Sequence, residues 1–264
     1  MAVAARLNRL WRAFGVSFAF ALFGIGGLAL GFLVMPLIRL TTLDPDSLRR
    51  RTQRFVHHCF RGYIALWQWM GLFSAELHHL ERLRTPAGPQ GRLVIANHPS
   101  LVDVVLLVSL LPEVDCIVKR SLWRNPFLRW PVLWARYIPN DEGETLVRAC
   151  VERLRAGRTL LVFPEGTRTR PGEPLRMQRG AAQIALAAGC EILPVQVQCQ
   201  PEFLSKRQWP WQAPMTTPHF RISIAPALTA HARPQPGEPV SLAARRLTRE
   251  FMAWYAESSG APPL

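Results

Sequence analysis

His98 and Asp103 stand in the run Asn97-His98-Pro99-Ser100-Leu101-Val102-Asp103, directly after the apolar, strand-like stretch Leu93-Val94-Ile95-Ala96. A histidine emerging at the end of a strand, with a carboxylate about one helical turn further on, is the arrangement that a general base needs. The carboxylate accepts from one ring nitrogen and fixes the tautomer. The other nitrogen is then free to take a proton from a hydroxyl. The chain has no G-x-S-x-G elbow, so the pair has no protein nucleophile of that kind to activate and the proton must come from a substrate. The same spacing also suits an ordinary helix start with Asp103 as its cap.

A second group of chemically capable residues narrows the choice. Thr159-Leu160-Leu161-Val162-Phe163 has the composition of a buried strand and runs into Pro164-Glu165-Gly166-Thr167-Arg168. That places a carboxylate, a glycine amide, a hydroxyl and a guanidinium at the C-terminal end of another strand, where open α/β sheets bind ligands. Glu165 and Arg168, three apart, are also spaced to pair with each other in a turn. Thr167 suits a cap as well as a ligand, and Arg170, Arg176 and Arg179 suit a solvated basic face.

The two motifs in this order, NHPSLVD and then FPEGTR, resemble the glycerolipid acyltransferase family, whose best-known members acylate lysophosphatidic acid. The resemblance implies direct attack of a lipid hydroxyl on an acyl-thioester, without an acyl-enzyme. It makes His98 the base and Asp103 the residue that orients it and steadies the imidazolium. It assigns Glu165 to positioning the acceptor, Gly166 to an oxyanion or phosphate contact, and Arg168 to the acceptor phosphate, which a planar guanidinium can grip bidentately. Thr167 lies within the same substrate-binding turn. Val118-Lys119-Arg120-Ser121-Leu122 resembles the segment whose lysine lies near the headgroup, and Ile192-Leu193-Pro194-Val195 resembles a strand that supports the site. By the same resemblance acyl-CoA or acyl-carrier protein serves as co-substrate, with no cofactor, and no His/Cys cluster has the spacing of a metal site. The implied product is phosphatidic acid from 1-acyl-sn-glycerol-3-phosphate, with another lyso-lipid or an aryl-polyene-type acceptor as the alternative.

One stretch departs from the family pattern. The family usually ends a glycine-led strand in an isoleucine–x–arginine turn, whose arginine joins Arg168 on the phosphate. Here the run is Ala135-Arg136-Tyr137-Ile138-Pro139-Asn140-Asp141, with Asn140 or Asp141 at the arginine's place. An aspartate beside a phosphomonoester costs roughly 1–4 kcal/mol at short range. Arg136, Lys119 or Arg120 are the candidate replacements, and an acceptor without a terminal phosphate is the other solution.

Positioning these groups requires alternating strands and helices. Strands are predicted at Phe73–His78, Leu93–Ala96, Asp115–Lys119, Arg136–Ile138, Leu160–Phe163, Ile192–Gln198 and Phe220–Ala225. Helical runs lie near Val102–Leu111, Pro126–Trp134, Thr145–Ala156, Gly180–Ala188 and Val240–Glu257, with a loop marked by Pro234, Pro236 and Gly237. The alternation implies an α/β fold, an open, mainly parallel sheet flanked by helices, over residues 72–264.

Residues 1–71 read as a membrane-anchoring segment. Ala13–Ile38 carries no formal charge, and roughly 39 Å of helix would cross a hydrocarbon core with tilt. Gly24, Gly26, Gly27 and Gly31 suit close helix packing or a re-entrant bend. A helix over about 47–71, with Phe55, Phe60, Trp67 and Trp69 among arginines, reads as interfacial, or else as an ordinary amphipathic helix on the core. His57 and His58 within it read as solvated or interfacial.

Arg39, Arg49, Arg50, Arg51 and Arg54 outweigh Arg6, Arg9 and Arg12, which favours a catalytic domain on the cytosolic side of the inner membrane. The formal charge of +14 suits anionic lipid, phosphate-bearing substrates or nucleic acid. Nucleic acid is disfavoured by the apolar span and by the absence of zinc-finger spacing or an aromatic RNA-binding signature. The five cysteines show no C-x-x-C pair and imply reduced thiols in a cytosol-facing domain. Two competing readings are a non-catalytic binder of anionic lipid or nucleic acid, and a thioesterase that gives the acyl group to water.

Overall fold

Alternating faces along Leu93-Val94-Ile95-Ala96 explain the architecture. Leu93 and Ile95 belong to one buried cluster and Val94 and Ala96 to another, so this strand is covered on both sides. The computed structural model describes residues 2–141, 143–168, 175–206, 208–209, 212, 214–228, 234 and 237–258. Arg170 and Pro236, named above, lie outside the described residues.

In chain order the helices are α1 (Ala2–Ala29), α2 (Met35–Leu40), α3 (Pro45–Trp69), α4 (Glu81–Arg84), α5 (Asp103–Leu110), α6 (Arg129–Trp134), α7 (Glu144–Arg155), α8 (Gly180–Ala188) and α9 (Val240–Ser258). The strands are β1 (Ser74–His78), β2 (Arg92–Ala96), β3 (Asp115–Val118), β4 (Ile138–Pro139), β5 (Thr159–Val162), β6 (Glu191–Gln200) and β7 (His219–Ile224). They form one sheet in the order β1-β7-β6-β2-β5-β3-β4. Every neighbouring pair is parallel except β6 with β7. The open, mainly parallel sheet is therefore present.

One face is covered by α1, α3 and α5 through Val16, Trp67, Leu106 and Leu107, and the other by α7, α8 and α9 through Leu154, Ile184, Leu247 and Phe251. Short elements without strong periodicity were not predicted: α4, and the 3₁₀ turn Arg120–Arg124. A π stretch at Leu30–Val34 separates α1 from α2. Pro36 sits in the first turn of α2 without an N–H to donate, and a wider turn just before it relieves the clash of its ring with the preceding carbonyls.

The N-terminal helices share a core with the sheet. Asp44 caps α3 by accepting from Ser47 N–H at 2.7 Å, with Pro45 at its first position, so the helix begins two residues before the expected start at about 47. Trp67 is buried among Phe20, Phe73 and Phe203, whereas Trp69 is 84% exposed. His57 corrects its expected solvated placement: it is buried, with Nδ1 3.0 Å from Val108 O on α5. Along α1, Trp11 Nε1 donates to Met70 O at 3.0 Å and Ala19 O accepts from Tyr63 OH at 2.8 Å. A Cβ on Gly27 would lie 2.9 Å from Phe127 O, so glycine there permits the close approach. The helix thus lies along the domain, with Leu10, Phe14, Ile25, Phe32 and Leu33 facing outward.

Candidate active site

Parallel register sets the site. Ile95 of β2 is paired with Val162 of β5, so His98 and Glu165 emerge level, each three residues beyond that pair. The loop after β2 folds back on itself. Ser100 N–H donates to Asp103 Oδ2 at 2.6 Å, and Val102 N–H donates to Ser100 Oγ at 3.2 Å. That turn delivers Asp103 as the first residue of α5, fully buried, with Oδ2 3.1 Å from His98 Nδ1. Nδ1 therefore carries the proton of the neutral ring, and Nε2 has no hydrogen-bond partner among the described residues. The ring of Phe163 lies against His98 with centroids 4.5 Å apart, fixing its plane. Burial raises the Asp103 carboxyl above the ordinary range, opposed by the hydrogen bond to His98, the Ser100 amide and the charge of Arg168.

The turn after β5 closes the second side. Glu165 is buried and its Oε1 accepts from the His98 backbone N–H at 2.7 Å, tying the two motifs together. Gly166 has φ +67, and a Cβ there would meet Gln178 Nε2 at 2.7 Å. Its amide corrects an expectation: the N–H donates to Phe163 O at 3.0 Å to form the turn, and is not presented to an oxyanion or phosphate. The next two amides, those of Thr167 and Arg168, have no acceptor among the described residues, and the Thr167 side chain is exposed. Arg168 Nη1 donates to Leu204 O at 2.9 Å and Ser205 O at 3.2 Å, leaving its Nε and Nη2 without a described partner. Arg176 and Arg179 are exposed.

The remaining cations divide between the two ends of the sheet. Lys119 directly follows β3 and is exposed at the same end as His98. Arg120 grips Asp141 through Nε–Oδ1 at 2.7 Å and Nη2–Oδ2 at 2.5 Å, and its backbone N–H donates to Asn140 Oδ1 at 3.0 Å. Hydrogen bonding to Arg120 lowers the Asp141 carboxyl and raises the guanidinium in turn. Arg136 is not brought to the site. It precedes β4, which runs parallel to β3, so it lies at the opposite end of the strands, 3.8 Å from Asp46 Oδ1. Its place as a substitute acceptor contact is thereby corrected.

A protein-family model described as Acyltransferase matches residues 74–198, the span that contains both motifs. A lyso-ornithine lipid O-acyltransferase of Pseudomonas aeruginosa is 31% identical over 190 residues, 70% of this chain and 68% of that protein. The chain belongs to the acyltransferase family. A chloroplastic 1-acyl-sn-glycerol-3-phosphate acyltransferase of Arabidopsis thaliana is 26% identical over 179 residues, covering 65% of this chain and 48% of its own length. The chain thus spans about half the length of such curated relatives. The fold matches the crystal structure of the 1-acyl-sn-glycerophosphate acyltransferase of Thermotoga maritima. The TM-score is 0.63 at 19% identity, over 93% of this chain and 96% of that one.

Sequence reasoning missed the side chains that bridge β2 and β6 near the site. Asn97 Nδ2 donates to Val197 O at 2.8 Å while Val197 N–H donates to Asn97 Oδ1 at 2.7 Å. Tyr255 of α9, fully enclosed, donates to Ile95 O at 2.7 Å and lies 3.1 Å from Val195 O. Only a known register reveals these roles, because the partners lie a hundred or more residues apart in sequence for each bond to β2. Pro194 is paired opposite Ile95 inside β6, so it shapes the strand. The free cysteines Cys116, Cys150 and Cys190 are buried among apolar groups, and burial raises each thiol.

Proposed function

We propose that the protein is a membrane-bound O-acyltransferase that moves a fatty acyl group from acyl-CoA or acyl-carrier protein to the hydroxyl of a lysophospholipid. The observation that carries this reading is the His98–Asp103 pair, with Asp103 buried and its carboxyl under the charge of Arg168, and with His98 Nε2 unpartnered among the described residues. Nε2 takes the proton of the acceptor hydroxyl as its oxygen bonds to the thioester carbonyl carbon. Asp103 balances the imidazolium that forms. The tetrahedral oxyanion collapses, the C–S bond breaks, and the thiolate receives the proton back from His98. The amides of Thr167 and Arg168, which have no acceptor among the described residues, are the donors best suited to the oxyanion.

The acceptor read most directly is 1-acyl-sn-glycerol-3-phosphate, giving phosphatidic acid, with Arg168 and Lys119 as its phosphate contacts. A second reading is favoured by one contact. Asp141 neutralises Arg120 and leaves the headgroup region less cationic, which suits an amino-acid headgroup such as that named for the Pseudomonas relative.

Membrane attachment is supported by the apolar helix within Arg6–Leu40 and its outward face. The excess of arginine after that helix supports a catalytic domain on the cytosolic side.

His98→Ala tests the reading. Purified protein in mixed vesicles, supplied with acyl-CoA and either lyso-lipid, is expected to release thiol and form acylated lipid in equal amounts. The variant is expected to lose at least about a hundredfold in rate with its folding unchanged. Thiol release without acylated lipid would identify a thioesterase, and residual transfer within about tenfold would remove His98 from the role of base.

A further inference from the structure

Large apolar side chains stand outside on two neighbouring elements. On α1 the rings of Trp11, Phe14 and Phe18 form an outward run, with successive centroids 6.2 Å apart. In the segment between β6 and β7, Trp209 is 60% and Met215 56% exposed. The two elements are joined, because the buried Arg12 guanidinium donates to the Thr217 hydroxyl.

Trp209 is held in place. Its N–H donates to Gln212 Oε1 at 2.9 Å, and the Gln212 N–H returns to Trp209 O at 2.9 Å. The preceding turn repeats the pattern, with Ser205 N–H to Gln208 Oε1 at 3.2 Å and Gln208 N–H to Ser205 O at 3.1 Å. The turn from Trp209 to Gln212 fixes the Trp209 backbone while the residue stays more than half exposed, and moving that apolar surface out of water is favourable. Exposed Arg6 and Arg9 precede Trp11 on α1, and exposed Lys206 precedes Trp209 by three residues; cations so placed favour an anionic lipid surface. An indole, apolar with one polar edge, suits headgroup depth.

We infer that Trp209 and Met215 form a second lipid-contacting element, laid beside α1 and facing an anionic bilayer. The placement matters because the same segment holds the site. Leu204 O accepts from Leu101 N–H at 3.1 Å, and Leu204 O and Ser205 O together hold Arg168 Nη1. Phe203 is packed on Trp67, which in turn contacts Phe20 of α1. Trp209 follows Ser205 by only four residues, at most about 14 Å of chain. The depth at which Trp209 settles therefore sets the height of Arg168 above the bilayer. A lyso-lipid can present its headgroup there while its tail stays in the membrane.

The test uses the full chain and vesicles of phosphatidylcholine and phosphatidylglycerol. Tryptophan fluorescence is compared between the wild type and Trp209→Phe, with brominated phosphatidylcholine as the quencher. The difference signal, which belongs to Trp209, is expected to be quenched by the brominated lipid. An unquenched difference signal overturns the inference. This readout needs no turnover, so it is independent of the proposed reaction.

Trp209→Glu combined with Met215→Glu is expected to raise KM for a vesicle-embedded acceptor about ten- to a hundredfold. Turnover of a short-chain, water-soluble acceptor should be unchanged. Equal KM on vesicles overturns the inference. So does a defect seen without vesicles and only when acyl-carrier protein is the donor, since that would make the patch a protein-docking surface.

Discussion

Replacing Asp103 by asparagine separates the charge of the proposed catalytic pair from its geometry. Oδ2 accepts from both His98 Nδ1–H and Ser100 N–H, and an asparagine oxygen can occupy the same position. The new amide nitrogen then falls where Oδ1 is now buried without a partner. The turn survives, but the imidazolium formed during transfer loses its counter-charge. For charges 3.1 Å apart, Coulomb's law at an effective dielectric of about 20 gives roughly 5 kcal/mol. Allowing for screening, the loss is about 3–5 kcal/mol, or about 10²–10⁴ in kcat.

Stability is expected to move the other way. Burial raises the folded-state pKa of Asp103 above its unfolded value. The wild type therefore loses stability as pH rises from the ordinary carboxylate range through that raised value, and the loss persists at neutral pH. Asp103→Asn removes this loss, so near neutral pH its Tm should equal or exceed that of the wild type. The difference should vanish below the ordinary carboxylate pKa. Thiol release at saturating acyl-CoA and thermal melts across pH measure both effects. A kcat within about tenfold of the wild type, or a fall in Tm large enough to explain the lost activity, would refute the reasoning.

Two other expectations concern the acceptor and the turn beneath it. Asp141→Arg removes the clasp on Arg120 and adds a second fork. It should lower KM for lysophosphatidic acid if a phosphomonoester is the native acceptor, and should instead impair turnover if the native headgroup carries an amino acid; paired assays on the two lyso-lipids read the ratio. Gly166→Ala forces a side chain into a left-handed conformation and against Gln178. It should cost about 1–2 kcal/mol in stability and lower kcat by displacing the Thr167 and Arg168 amides, as melts and initial rates will show.

The legible parts were those in which neighbouring residues determine the structure. Apolar runs bounded by polar turns marked six of the seven strands, because a strand covered on both faces, such as β2, is written as one continuous apolar stretch. His98 and Asp103 were legible for the same reason, since one turn of chain brings them together. The strand predicted at Arg136–Ile138 was displaced to Ile138–Pro139, and with it Arg136 went to the far end of the sheet. A two-residue edge strand carries too little periodicity to set its own register.

Chain-local chemistry thus determined the fold class, the His98–Asp103 pairing and the apolar N-terminal helix. Tertiary structure decided which polar groups remain available to a ligand. Gly166 spends its amide on a turn, Glu165 holds the His98 backbone, and Arg168 is shared with carbonyls of a segment some 36 residues away. It also decided that His57 and Trp67 are core residues. The physical reason is common to all of these: a hydrogen-bonding group or ring does not encode its partner in its own residue type. Partnership follows from strand order and register, which bring distant segments together at the C-terminal ends of the central strands.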